Sequence, residues 1–128
     1  MSHYLLDTHT AIWFFNGDNS LSKTARQKIL DPVNVKYLSI ASAWELAIKI
    51  GLGKLDFSGR VKGFLQLADN NGFNIIPVKS EHLTFLEELP MLHRDPFDRL
   101  LIATALSEQM TIITDDENIA KYNVPHIW

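Results

Sequence analysis

Short apolar segments typical of β-strands alternate with helical segments along most of this chain. This alternation predicts a parallel sheet wrapped by helices on both faces, because a parallel connection needs a crossover that packs on the sheet. The predicted strands are 4–6, 35–40, 73–78 and 111–114, with a last edge strand at 124–128. The predicted helices are 11–15, 22–30, 42 to 51 or 53, 58–69, 80–89, 96–109 and 117–122.

The bulk composition is that of one ordinary globular domain spanning residues 1–128, with 46% hydrophobic and 21% charged residues. The chain has no cysteine, so a disulfide framework and a thiolate metal site are excluded, which fits a reducing cytoplasm. No apolar run approaches the length of a membrane span, and no signal peptide is expected. A formal net charge of −3 argues against a protein that coats nucleic acid non-specifically, but not against a metal-dependent nuclease.

Acidic residues stand at predicted strand ends and helix starts in four separate parts of the chain. The ligand crevice of a parallel sheet lies beyond the carboxyl ends of its strands, so these acids are predicted to meet in one cleft. Clustered carboxylates repel unless a positive charge lies between them, and a hard divalent cation takes oxygen ligands. The pattern therefore predicts metal-dependent chemistry on phosphate esters. The acids are Asp7, Glu45, Asp95, Asp98, Asp115 and Asp116.

Asp7 and Glu45 each have a structural alternative. Asp7 directly follows a buried strand, where an acid is costly unless paired or ligating, and a functional role is favoured over a helix cap. Glu45 completes the capping-box pattern Ser42-x-x-Glu45 and lies one turn before Lys49. Taken alone, Glu45 is therefore better explained as a cap or an ion pair, and only the other acids favour a functional role.

Similar alternatives apply to the later acids. Asp95 is most simply the N-cap of a helix whose first residue is proline, which leaves Asp98 for function. One of Asp115 and Asp116 can cap the short helix that follows, but two adjacent acids exceed what a cap needs. Thr114 is placed to hydrogen-bond a neighbouring carboxylate or a ligand water.

Other polar and aromatic residues give weaker signals. The five histidines lack metal-ligand spacing, and His93, although near acids, is predicted to have a structural role in its loop. The aromatic side chains near the acids are predicted to be core rather than base-stacking platforms; they are Trp13, Phe14, Phe15 and Trp44. The basic residues flanking the acids are equally suited to bind phosphates or to neutralise a carboxylate; they are Arg94, Arg99, Lys49 and Lys54.

The chain resembles the PIN-domain family and, within it, the VapC-like toxin ribonucleases. The resemblance spans almost the whole chain and rests on a set of segments in order, each weak alone. They are Leu5-Leu6-Asp7-Thr8-His9, Ser42-Ala43-Trp44-Glu45-Leu46-Ala47-Ile48-Lys49, His93-Arg94-Asp95-Pro96-Phe97-Asp98-Arg99 with Leu100-Leu101-Ile102-Ala103-Thr104-Ala105, and Thr114-Asp115-Asp116.

The resemblance implies a three-layer α/β/α sandwich and a metal-dependent ribonuclease with four acids in one pocket. By motif position these acids are Asp7, Glu45, Asp98 and Asp116, holding Mg²⁺ or Mn²⁺. Asp95 belongs to the pattern of one VapC-like subgroup and is expected to support the metal-binding acids. The resemblance also implies a homodimer and a small antitoxin that blocks the site.

Rival classes make distinct demands on the sequence. A haloacid-dehalogenase-like phosphatase needs a second aspartate two residues after Asp7, where His9 stands. A FEN-like DNA nuclease shares the acidic cluster but usually has a longer chain. A non-catalytic, receiver-like domain carries its key aspartate after a later strand than Asp7.

Overall fold

The computed structural model describes all residues from 1 to 128. Five strands and seven helices follow one another in the predicted alternating order. The strands are β1 (His3–Leu6), β2 (Val35–Ser39), β3 (Asn74–Ile76), β4 (Thr111–Ile113) and β5 (His126–Ile127). The helices are α1 (Thr8–Asn16), α2 (Lys23–Leu30), α3 (Ile40–Gly51), α4 (Arg60–Asn70), α5 (Ser80–Glu88), α6 (Pro96–Glu108) and α7 (Glu117–Ala120).

The strands form one parallel sheet in the order β3-β2-β1-β4-β5, which confirms the predicted fold class. Strand β1 lies at the centre, where Leu5 pairs with Tyr37 of β2 on one side and Ile112 of β4 on the other. The strand order reverses between β1 and β4, because the chain first builds outward through β2 and β3 and then returns. In open sheets of this kind the ligand crevice lies at that reversal, beyond the carboxyl ends of the strands.

Alternating side chains of the central strand supply two cores. Tyr4 and Leu6 belong to a cluster on one face of the sheet that includes residues of helices α1 to α4. Leu5 belongs to a second cluster on the other face, with Leu101 and Ile102 of α6. Because side chains of a strand point alternately to opposite faces, β1 is buried from both sides and its three apolar residues fix its register. None of the seven helices combines the length and the hydropathy that a membrane span requires.

The start of helix α3 differs from the prediction. Ser39, the last residue of β2, is the N-cap, and its hydroxyl oxygen accepts a hydrogen bond from the backbone N–H of Ala41 at 3.0 Å. Ser42 is therefore the third residue of the helix, and Glu45 lies in the second turn. The predicted Ser42-x-x-Glu45 capping box is wrong, because a serine three residues earlier already caps the helix where the strand ends.

Other boundaries shift by a few residues. Helix α4 begins after Gly59, whose left-handed backbone (φ +83°) favours glycine, rather than at Ser58. The cap of α5 is Lys79 rather than Ser80. The strands predicted at 73–78 and 124–128 are shorter than predicted, at three and two residues. Strand ends depend on the neighbouring strand, which single-sequence patterns do not contain.

The aromatic prediction holds for three residues and fails for one. Trp13, Phe14 and Phe15 are partly buried against the first core cluster. Trp44, however, is 61% exposed and meets the Phe97 ring edge-on, with a centroid distance of 5.1 Å. Most of its side chain is open to solvent, so Trp44 is not a core residue.

Candidate functional site

Asp7 lies at the carboxyl end of β1 and is the N-cap of α1. One carboxylate oxygen, Oδ1, accepts a hydrogen bond from the backbone N–H of Thr10 at 2.7 Å. The other, Oδ2, accepts a hydrogen bond from the Thr114 hydroxyl at the end of the adjacent β4. Asp7 therefore forms the helix cap that is the structural alternative for this residue. It does not exclude ligation, since each carboxylate oxygen has two lone pairs.

Glu45 is buried on α3 and connects that helix to the start of α1. The Thr8 hydroxyl donates to Glu45 Oε1 at 2.7 Å and lies 2.9 Å from the Ser42 hydroxyl oxygen. Lys49 Nζ, one turn further along α3, contacts Glu45 Oε2 at 2.6 Å. The ion pair named among the sequence alternatives is thus present. Thr8 and Ser42 are contacts that sequence reasoning missed, because they depend on how α1 packs against α3.

The start of α6 carries Asp95 and Asp98. Asp95 is the N-cap, as predicted, and its Oδ1 accepts hydrogen bonds from the backbone N–H groups of Phe97 at 2.9 Å and Asp98 at 3.1 Å. Asp98 lies in the first turn, and its Oδ2 is 3.2 Å from His93 Nε2. Its Oδ1 has no hydrogen-bond partner and stays free for another ligand.

The two acids after β4 have different surroundings. Asp116 is the N-cap of α7 and accepts a hydrogen bond from the backbone N–H of Asn118 at 2.8 Å. Its own backbone N–H donates to the Thr114 hydroxyl oxygen at 3.0 Å, so Thr114 joins Asp116 to Asp7. Asp115 is exposed and has no side-chain hydrogen bond or ion pair. The geometry therefore favours Asp116 over Asp115 as a member of the cluster.

Burial and neighbouring charges raise the pKa of two of these acids. The pKa of Asp98 rises from 3.8 to about 7, first because burial disfavours its charge and then because Asp95, Asp116 and Glu45 add negative charge nearby, against a lowering contact from His93. Burial raises the pKa of Asp7, against the hydrogen bonds from Thr114 and Thr10. Burial is the first cause of both shifts, and only Asp98 also has like charges among its causes.

Lys49 is the positive side chain inside this acidic group. Desolvation lowers its pKa, but the hydrogen bond and charge of Glu45, with the charges of Asp95 and Asp98, outweigh that effect and raise the pKa overall. Lys49 is one positive charge among several carboxylates, and the charges of Asp95, Asp116 and Glu45 add to burial in raising the pKa of Asp98.

The remaining basic candidates lie in three different settings. Arg99 is buried, and its Nη1 donates to the Pro90 carbonyl at 2.8 Å and to the Tyr122 hydroxyl at 2.9 Å. The phosphate contact suggested for Arg99 is not supported, because its guanidinium is already occupied inside the protein. Arg94 is exposed and forms no ion pair. Lys54 lines a surface cavity between α3 and α4, of about 490 Å³.

The carboxylates and imidazoles do not form a finished metal-binding group in this arrangement: no three of them are close enough to share an ion. The donor set nonetheless fits a hard divalent cation, since every candidate ligand is a carboxylate oxygen. The charge also fits, because the group at Asp98 carries uncompensated negative charge that a cation would relieve. The residues therefore match Mg²⁺ or Mn²⁺ in chemistry and in charge.

Comparison with known proteins adds a family and a fold. The family model described as the PIN domain matches residues 4–125. A search of curated proteins finds no match in sequence.

Several solved structures share the architecture at low sequence identity. VapBC2 from Rickettsia felis, bound to a DNA fragment from their promoter, has a TM-score of 0.74 at 18% identity over 98% of this chain and 97% of that chain. A toxin–antitoxin complex from Klebsiella pneumoniae has a TM-score of 0.64 at 19% identity, covering 98% and 96%. The PIN domain endonuclease Utp24 has a TM-score of 0.53 at 17% identity, covering 93% and 74%. At these identities the likeness establishes the fold.

Proposed function

The chain belongs to the PIN-domain family, and from this premise we propose that it is a metal-dependent endoribonuclease and the toxin of a toxin–antitoxin pair. The observation that carries the proposal is the group of acids at the reversal of strand order between β1 and β4. Asp7 and Asp116 share Thr114, and the pKa of Asp98 is raised by burial and by the charges of Asp95, Asp116 and Glu45. Uncompensated carboxylates at a ligand crevice are what a cation site for phosphate chemistry requires.

The residues proposed to hold Mg²⁺ or Mn²⁺ are Asp7, Asp98, Glu45 and Asp116, the first two directly and the others directly or through water. When bound, the ion would supply Lewis-acid activation of water and stabilise charge that builds on the phosphate. Glu45 is proposed to accept the proton of the attacking water, its side chain being oriented by Thr8 on one oxygen and Lys49 on the other. Arg94, exposed and free of ion pairs, is suited to contact RNA phosphates.

The partner proposal draws on the solved structures. VapBC2 of Rickettsia felis and the complex from Klebsiella pneumoniae are by their descriptions two-component assemblies, the second a toxin–antitoxin complex. We therefore propose that a small antitoxin binds this chain over the acidic cleft and that the chain forms a homodimer. Both the antitoxin and the RNA would be met in the cytoplasm.

The cleavage test compares RNA and DNA oligonucleotides of the same sequence with purified protein, in Mg²⁺, in Mn²⁺ and in EDTA. The proposal predicts cleavage of RNA that needs the metal. Cleavage confined to DNA would favour a DNA-directed nuclease, and tight metal binding with no cleavage of any RNA would favour a non-catalytic metal-binding domain. Either result overturns the ribonuclease proposal.

Asp7→Asn is the decisive variant. It should abolish RNA cleavage, because it removes a negatively charged ligand. The metal-free fold should be as stable as wild type or more stable, since asparagine is also a good N-cap and the costly buried charge is gone. Asp69→Asn, at an exposed position on α4, is the matched control and should cleave like wild type. If Asp7→Asn fails to fold in a thermal melt, Asp7 is structural and its assignment as a ligand is wrong.

A further inference from the structure

The Tyr122 hydroxyl is a meeting point of hydrogen bonds behind the start of α6. Its oxygen accepts from Arg99 Nη1 at 2.9 Å and from the backbone N–H groups of Leu92 and His93, each at 3.3 Å. It also lies 2.9 Å from His93 Nδ1. Tyr122 and Arg99 are both buried. The three N–H groups can only donate, so among the partners of the hydroxyl only His93 Nδ1 can accept its hydrogen.

This contact determines which ring nitrogen of His93 carries the proton. A nitrogen that accepts the Tyr122 hydrogen has no hydrogen of its own, so the neutral ring must carry its proton on Nε2. Nε2 lies 3.2 Å from Asp98 Oδ2, and an ionised carboxylate only accepts hydrogen bonds. The direction of the chain of hydrogen bonds is therefore Tyr122 hydroxyl to His93 to Asp98.

We infer that Tyr122 and His93 are a positioning pair that fixes one oxygen of the Asp98 carboxylate and leaves the other for a cation. This inference rests on the proposed function, in which Asp98 is a metal ligand. Neither residue contacts the substrate or the reacting atoms in this account; both act through Asp98. Metal-binding carboxylates are generally held by a second hydrogen-bonding partner, and loss of such a partner weakens metal binding.

The bonds from backbone N–H groups to the Tyr122 hydroxyl do not explain why the His93 imidazole also contacts Asp98. The Leu92 and His93 N–H groups and the Arg99 guanidinium suffice to anchor the loop before α6 to the end of α7. The His93 ring makes a further bond to the carboxylate of Asp98, which lies five residues later, on helix α6. A purely structural His93 would need only its backbone, so the ring contact is the part that the positioning role explains.

The first experiment measures histidine tautomers by long-range ¹⁵N–¹H NMR on the metal-free protein at mildly alkaline pH. His93 should carry its proton on Nε2. Two other histidines serve as internal references. His82 should show the same tautomer, because its Nδ1 accepts the Lys79 N–H at 3.1 Å, and His126 the opposite one, because its Nδ1 faces the Val124 carbonyl at 3.0 Å.

Tyr122→Phe removes the hydroxyl and should change the His93 tautomer signals while those of His82 and His126 stay in place. A His93 proton on Nδ1 in the wild-type protein, or a His93 spectrum unaffected by Tyr122→Phe, would overturn the inference. Because neither metal nor RNA is present, this result is independent of whether the protein proves to be a nuclease.

The second experiment titrates Mn²⁺ into His93→Ala and His93→Gln. The His93→Ala variant should bind Mn²⁺ at least about 10-fold more weakly than wild type. Its kcat should fall by a larger factor than its KM changes. His93→Gln keeps an N–H donor at the position of Nε2 and should recover most of the affinity. His126→Gln, away from the cleft, is the control and should match wild type. Equal weakening in His93→Gln and His93→Ala, or unchanged Mn²⁺ affinity in His93→Ala, would contradict the positioning role. Failure of wild type to cleave RNA despite these shifts would instead count against the proposed function alone.

Discussion

At the scale of single residues, the candidate site is defined by poorly compensated charge. Asp98 has a free oxygen, three acidic neighbours and a pKa of about 7, and Lys49 is already committed to Glu45. The sequence placed Asp98 at a helix start, but its electrostatic state depends on acids from other segments, which no local pattern reports. The same holds for His93, whose bond partner Tyr122 is 29 residues away in the chain. From the sequence alone, His93 was therefore predicted to have a structural role in its loop.

The pKa of Asp98 predicts a pH dependence of stability in the metal-free protein. Between its ordinary value of 3.8 and about 7 the folded state binds more protons than the unfolded state, so the free energy of unfolding should fall as pH rises through this window and then level off. The raised pKa of Asp7 acts in the same direction.

Asp98→Asn isolates the contribution of this one carboxylate. Above pH 7 the variant should be more stable than wild type in EDTA, by on the order of 1–3 kcal/mol. A rise of the pKa from 3.8 to about 7 sets a ceiling of about 4 kcal/mol, and solvent screening of the partly exposed carboxylate reduces it. Near pH 4 the two should be alike, because Asp98 is then protonated in the folded wild type. Denaturant unfolding at several pH values checks this, and a stability difference that does not depend on pH would contradict the assigned pKa.

At the scale of elements, three helices begin at the same edge of the sheet, and each is capped by an aspartate. The caps are Asp7 for α1, Asp95 for α6 and Asp116 for α7. From the sequence, capping and function are alternatives for Asp7, whereas in the structure Asp7 has both a cap bond and a place in the acidic group. A cap aspartate directs a carboxylate to the helix start, where the N–H groups of the first turn favour negative charge. Capping thus helps to gather the acids.

Two variants of Asp95 separate the effect of its helix cap from the effect of its negative charge. Asp95→Asn keeps an N-cap side chain but removes a negative charge, so it should lower the pKa of Asp98 with little effect on stability. Asp95→Ala should lower the same pKa and also destabilise the fold by about 1 kcal/mol, because the α6 cap is lost. A carboxyl ¹³C NMR titration of Asp98 together with melts of both variants provides the measurement. An unchanged Asp98 titration in Asp95→Asn would show that the two charges do not interact.

Element types were predictable because local signals were strong, such as Asp95-Pro96 at the start of α6 and Gly17 at the end of α1. The predicted start of a helix was wrong where two residues were candidates for the same N-cap. Ser39 and Ser42 are equally good caps by chemistry, and the end of β2 decides between them. Exposure of Trp44 was also beyond the sequence, since its neighbours on α3 are apolar on more than one side of the helix.

At the scale of the whole molecule, strand order is what brings the acids together. Alternation of strands and helices predicted a parallel sheet, but not that β4 would return to the side of β1 opposite to β2. That placement puts Thr114 beside Asp7, where its hydroxyl donates to the Asp7 carboxylate. The convergence of the four acids on one edge could be inferred from sequence only by assuming such a topology. Their remaining separation, too large for three of them to share an ion, could not be inferred at all.

The most direct test of the account is the position of Mn²⁺ in crystals of the wild-type protein, located by anomalous scattering. The account predicts an anomalous peak beside the carboxylates of Asp7 and Asp98, with Glu45 and Asp116 turned toward it directly or through water. The Asp7→Asn protein should lack that peak under the same conditions. Strong Mn²⁺ peaks elsewhere on the molecule, with none near Asp7 and Asp98, would contradict the claim that these acids form a cation site.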